Sequence, residues 1–166
     1  MDRDPAWKDR LSLFDPDRLQ TIRRQILLKG GITMKETFIK FTVNDLKPQF
    51  LTVTIADTEA LLRFLYKEIG CESIENVYTR LDLQLDTADR IIMVVDEEGL
   101  LKDDPQPNPT GCALYNGLIA GTLIIGRQVE RDGEPDFGGF ASVADAIAAA
   151  SEAERMTFYY LCNNMI

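Results

Sequence analysis

Chemistry in this chain would have to come from carboxylates, thiols and one constrained amide, because its 166 residues include no histidine. Imidazole is the side chain whose ordinary titration lies nearest neutral pH. Its absence removes Ser-His and Cys-His nucleophilic catalysis, histidine acid–base chemistry and every zinc site with a histidine ligand. The densest carboxylate group runs from residue 82 to 104: Asp82, Asp86, Asp89, Asp96, Glu97, Glu98, Asp103 and Asp104, against only Arg90 and Lys102. Hard divalent cations take oxygen ligands, so a Ca²⁺ or Mg²⁺ site is one reading of this group. However, Asp96-Glu97-Glu98-Gly99 departs from the calcium-loop pattern, in which ligands alternate and glycine stands sixth. Adjacent residues of a turn point apart, so the plainer reading is a solvated turn. An enzyme built on carboxylates and a metal stays open as an alternative.

Asn108 stands between Pro107 and Pro109, and Pro105 precedes them. Three prolines at alternate positions make residues 102–109 a stiff, extended loop. Stiffness lowers the entropy lost if Asn108 hydrogen-bonds a ligand. The competing use of the amide is to bond the backbone of its own loop. The surface expected to bind is therefore Asp96, Glu97, Glu98 and Gly99 together with Pro107 and Asn108. Cys71, Cys112 and Cys162 are odd in number, widely spaced and lack a C-x-x-C pair. That suits free, mostly buried thiols in a reducing cytoplasm. The glycines form neither a G-x-G-x-x-G nor a phosphate-binding loop, and no cofactor is expected.

Charge narrows the partners. With 18 basic and 27 acidic residues the formal charge is −9. Such a surface lacks the Lys and Arg needed to displace counterions from phosphates or to dock on an anionic membrane. Neither direct nucleic-acid binding nor a membrane is expected. Carboxylates can instead imitate DNA phosphates, so an inhibitor that occupies a restriction or other defence enzyme is a second alternative.

The elements that must position these groups follow from periodicity and caps. Residues 1–33 carry seven basic and five acidic side chains, a net +2 that leaves −11 for the rest. Asp15-Pro16 reads as N-cap and first helical residue, Leu19, Ile22 and Ile26 share a face, and Gly30-Gly31 ends the turn. An amphipathic helix that short needs a partner, either the main body or a second subunit in a homodimer. A rival start at Met34 would make residues 1–33 an upstream extension. From residue 34 a single domain is expected. Strands are predicted over residues 38–43, 50–55, 75–85, 91–95 and 118–125, the last ending at Gly126. Residues 131–136 read as a surface loop. Asp57 caps a helix bearing Leu61, Leu62, Leu65 and Ile69 and closing at Gly70. Ser142 and Asp145 resemble a capping box for a helix to about residue 155. Residues 157–161 fit a helix continuation or an edge strand. The loose interleaving favours an α+β fold, a mainly antiparallel sheet with helices on one face, preceded by the N-terminal helix.

From about residue 51 to 127 the chain resembles a family of small bacterial and phage proteins known as domain of unknown function family 3846. The resemblance is carried by the apolar strand Ile91-Ile92-Met93-Val94-Val95 and the following Asp96-Glu97-Glu98-Gly99-Leu100. Pro107-Asn108 and Ile119-Ala120-Gly121-Thr122-Leu123-Ile124-Ile125-Gly126 complete it. It implies an accessory protein of a phage or conjugative element, with no established activity. The expected function is to bind a host protein or a small molecule rather than to catalyse.

Overall fold

In the computed structural model, which describes residues 35–81 and 90–164, six strands pair into one antiparallel sheet. They are β1 (Lys35–Phe41), β2 (Gln49–Thr54), β3 (Ile74–Tyr78), β4 (Ile91–Asp96), β5 (Leu123–Arg131) and β6 (Glu134–Gly138). Three helices, α1 (Thr58–Ile69), α2 (Pro109–Tyr115) and α3 (Val143–Asn164), and a 3₁₀ turn at Gly99–Leu101 complete the described chain. The strand order is β2-β1-β5-β4-β3. Strand β6 lies on the β1 edge of β5, because Arg127 pairs with Ile91 on one side and with Gly138 on the other. The antiparallel α+β class matches the sequence pattern. The predicted leader helix, the Met34 start and residues 82–89 lie outside the described residues.

Alternation along the strands divides the interior into two cores. Ile39, Met93 and Ile125 stand side by side in the ladder and face α2 and α3, with Phe41, Leu123 and the alanines of α3. Phe38, Ile92, Val94 and Ile124 point the other way, onto Leu61, Leu65 and Ile69 of α1. Helices therefore cover both faces, where one covered face was expected. The continuous apolar run of β4 is the cause, since all six of its residues are buried and a strand buried on both sides needs cover on both. Each large side chain removed from water here contributes about 2 kcal/mol. On the α1 face, Lys40 reaches the Glu68 carboxylate of the helix at 3.0 Å.

Local signals explain most boundaries. Asp57 Oδ1 accepts the Ala60 amide at 2.7 Å, and Gly70 closes α1 in the left-handed region at φ 76°. Ser142 Oγ accepts the Asp145 amide at 3.1 Å and starts α3, which runs on to Asn164. Residues 157–161 are thus helix, and Thr157 bonds back to the Ala153 carbonyl at 2.7 Å. The third strand is shorter than its alternation implies. Beyond Tyr78 the chain turns away, Thr79 Oγ1 donating to the Ile91 carbonyl at 2.8 Å and the Arg80 amide to Leu114 of α2 at 2.9 Å. The Arg80 guanidinium also donates to the Ala113 carbonyl at 2.6 Å, a cation on the carbonyl end of α2.

Gly126 does not end its strand, as the apolar pattern suggests, but sits inside β5. A Cβ there would lie 2.3 Å from the Gly138 carbonyl oxygen and 2.6 Å from the Phe137 ring. Its absence lets β6 close over β5 and seats Phe137 in the α1-side core. The loop expected at residues 131–136 is a tight hairpin, with Asp132 at φ 51° and Gly133 at φ 81°. Replacing Gly126 by Ala is expected to cost about 2 kcal/mol by forcing this hairpin off the sheet. A lowered urea midpoint at unchanged slope would show it; an unshifted midpoint would refute the close approach.

Candidate binding lobe

Where β4 leaves the sheet, the acidic turn, the 3₁₀ turn and the proline loop form one lobe. Asp96 is its hinge pin. Its carboxylate is buried, takes the Glu98 amide at 3.0 Å and the Lys102 ammonium at 2.6 Å, and so closes the loop onto its own stem. That hydrogen bond with Asp96 holds the Lys102 ammonium pKa above its ordinary value. Glu97 ties the stem to the start of β3: its amide donates to the Ser73 carbonyl at 3.1 Å, and its carboxylate accepts the Ser73 hydroxyl.

The other stem is held by Asn108, which is completely buried. As N-cap of α2 its Oδ1 accepts the Gly111 amide at 3.1 Å, while Pro109 takes the first helical position. Its Nδ2 donates to the carbonyls of Phe41 at 3.1 Å and Gly121 at 2.9 Å. The Asn108 backbone amide adds a bond to Ile119 at 2.8 Å. Residue 109 thus begins a helix where a loop was expected, and the Asn108 amide serves the fold rather than a ligand. Its two amide protons both go to carbonyls of this chain.

The structure does bring the two halves of the predicted surface together. A Cβ on Gly99 would stand 2.9 Å from the Ala120 carbonyl oxygen, and Pro107 pairs with the same Ala120. Of the six residues singled out by sequence, Asp96, Gly99 and Asn108 are buried, and Glu97, Glu98 and Pro107 remain at the surface. Leu100 and Leu101 were missed. They are 50% and 81% exposed at the 3₁₀ turn, with Glu97, Glu98, Asp103 and Asp104 around them in the chain. Two leucines following an acidic turn and preceding an acidic loop were the signal available.

Cys71, beside this base, has its thiol pKa raised, first by burial and then by the Asp96 charge, against a backbone hydrogen bond at Ser73 that lowers it. Among the described residues, no group of three or more Cys, Asp or Glu side chains converges to hold a metal ion. A separate cleft of about 130 Å³ opens between β3 and the β5–β6 hairpin, lined by Asn76, Tyr78, Ile92, Gln128 and Pro135. The Arg90 guanidinium lies 5.1 Å from the centre of the Tyr78 ring at its side. No helix among the described residues is long and apolar enough to cross a membrane.

No family model matches this chain, and neither a curated protein nor a solved structure does. The likeness to domain of unknown function family 3846 rests on the residues quoted for it alone.

Two outcomes follow from this geometry. Asn108→Ala is expected to destabilise the protein by about 3 kcal/mol, since it removes a cap and leaves two buried carbonyls unpaired. Asn108→Asp keeps the cap oxygen but sets a carboxylate against those carbonyls, and it should do no better in the same urea titration. Thiol labelling of the native protein near pH 8 should run Cys162 first and Cys71 slowly, with Cys112 reacting only on unfolding. Because only the thiolate reacts, the Cys71 rate should keep climbing as pH passes its ordinary range. Labelling of Cys71 as fast as Cys162 would contradict the arrangement.

Proposed function

We propose that this chain is a non-catalytic, cytoplasmic binding protein of a mobile genetic element that holds a host protein through residues 97–107. The observation that carries this reading is Leu101, 81% exposed in a lobe whose two stems are anchored by Asp96 and Asn108. A large apolar side chain held out on a pinned backbone loses little entropy when it docks. Its acidic surroundings suit a partner with an apolar pocket rimmed by Lys or Arg. A small-molecule ligand is less well supported at the cleft beside β3, whose 130 Å³ falls below the about 300–1,000 Å³ usual for such sites. The mobile-element origin rests on the family resemblance alone, and no family model matches the chain.

The test uses the full chain as bait in host lysate, beside Leu101→Ser and a Glu97→Gln/Glu98→Gln double variant. Asp96 is left intact because it anchors the lobe. Leu101→Ser is expected to cut recovery of the specific partner about tenfold, as for a central apolar anchor. The glutamate variant should mainly weaken salt dependence. Equal recovery with all three baits would remove this surface. Loss of the complex on raising salt to about 300 mM, with Leu101→Ser still active, would favour a DNA-mimicking inhibitor instead.

A further inference from the structure

Strand β3 ends the sheet, and among the described residues it pairs with β4 alone. Its register fixes which backbone groups are left over. At the two ends of the ladder the Ser73 carbonyl takes the Glu97 amide at 3.1 Å and the Thr79 amide reaches the Ile91 carbonyl at 3.4 Å. Bonded and non-bonded positions alternate in an antiparallel pair. Glu75 and Val77 therefore also bond to β4, whereas the N–H and C=O groups of Ile74, Asn76 and Tyr78 point out along the free edge. These six groups stand in a row at the spacing another strand presents. The residues that usually guard such an edge are missing here, since Ile74–Tyr78 contains neither proline nor lysine.

The same alternation sends the side chains of these three residues to one face. Ile74 packs into the α1-side core, while Asn76 and Tyr78 line the 130 Å³ cleft, which has Ile92 and Pro135 as apolar walls and the Gln128 amide beyond. A cavity of about 150 Å³ holds a benzene ring, so this cleft is sized for one side chain of a longer ligand. Charge also runs along the edge. Glu72, Glu75 and Glu97 lie toward its first residue, all exposed, and Arg90 stacks on Tyr78 at its last. A segment antiparallel to β3 meets the carboxylates with its C-terminal end.

We infer that the free edge of β3 is a docking site for an extended peptide segment of a partner protein. The segment adds antiparallel as a further strand, with one side chain in the cleft and a Lys or Arg beside Glu72 and Glu75. Main-chain bonds supply the affinity and the cleft the selectivity. A second copy of this chain is the poorer occupant, because a net charge of −9 sets two copies against each other. The site stands apart from Leu101, so either surface can fail its test without the other.

The full chain is panned against a displayed library of random peptides of about eight residues, with Asn76→Pro for counter-selection. Proline at this position removes one outward N–H and leaves the bonds to β4 in place. Peptides with Lys or Arg toward the C-terminal end should be enriched on the wild type. Their synthetic copies should bind Asn76→Pro about tenfold more weakly, at an unchanged far-ultraviolet circular dichroism spectrum, and Leu101→Ser as well as the wild type. N-methylation of the peptide decides the matter however the variant folds: methyls on one set of alternate amides should abolish binding, and methyls on the other set should spare it. In the free chain the amides of Ile74, Asn76 and Tyr78 should exchange hydrogen faster than those of Glu75 and Val77, and should slow when peptide is bound. No enrichment over Asn76→Pro, equal tolerance of both methylation patterns, or slow exchange of the three amides in the free chain overturns the inference. Wild-type dimers that Asn76→Pro abolishes would put a second copy on the edge and overturn the foreign segment.

Discussion

One buried carboxamide holds the described chain together at its busiest junction. Asn108 joins the end of β1, the entry to β5 and the start of α2 by giving both its protons and one lone pair to their backbone. Those backbone groups lie at the ends of their elements, where a buried carbonyl left alone would be expensive. Asparagine suits the place because it donates twice and accepts at once. A carboxylate could only accept, and a hydroxyl could donate only once. Pro109 adds a fixed φ at the first helical position, where its missing amide proton costs nothing.

From this junction the layering follows. With β5 held between β1 and β4, the central strands must be apolar on both faces, and helices must cover both. The two coverings differ in kind. Helix α1 reaches the sheet with Leu61, Leu65 and Ile69, whereas α3 comes in on Ala146, Ala149, Ala150 and Ala153. Small residues let α3 lie close, and the aromatic bulk on that side comes from Phe41 and Phe140 of the sheet side. Of the larger apolar residues of α3, Met156 and Tyr160 pack at the margin of this core, while Ile147 and Phe158 stay exposed.

What could be read in advance depended on how local the cause was. The Asp57 and Ser142 caps, the Gly70 stop and the apolar run of β4 are contained within a few residues, and each appears where the pattern puts it. Asn108-Pro109 carried a helix-start signal as plain as Asp15-Pro16, but three alternating prolines made the segment look like a loop throughout. Asp132-Gly133 is likewise a strong hairpin dipeptide, hidden by its hydrophilic neighbours. The direction of a turn side chain is another matter. Whether Asp96 faces solvent or Lys102, and whether Asn108 faces a ligand or Phe41, depends on residues far off in the chain. Composition therefore picks out residues that fold together, while the direction each side chain takes was not legible.

The distribution of charge in the lobe has a physical logic of its own. Its inward carboxylate, Asp96, is matched by Lys102 and by a backbone amide, as a buried charge must be. The outward ones, at Glu97, Glu98, Asp103 and Asp104, stand in water, where each costs little and all repel an acidic neighbour. A second copy of this chain is therefore a poor occupant for the lobe. Leu101 stays open to a partner of opposite charge, and the surrounding carboxylates select against another acidic chain.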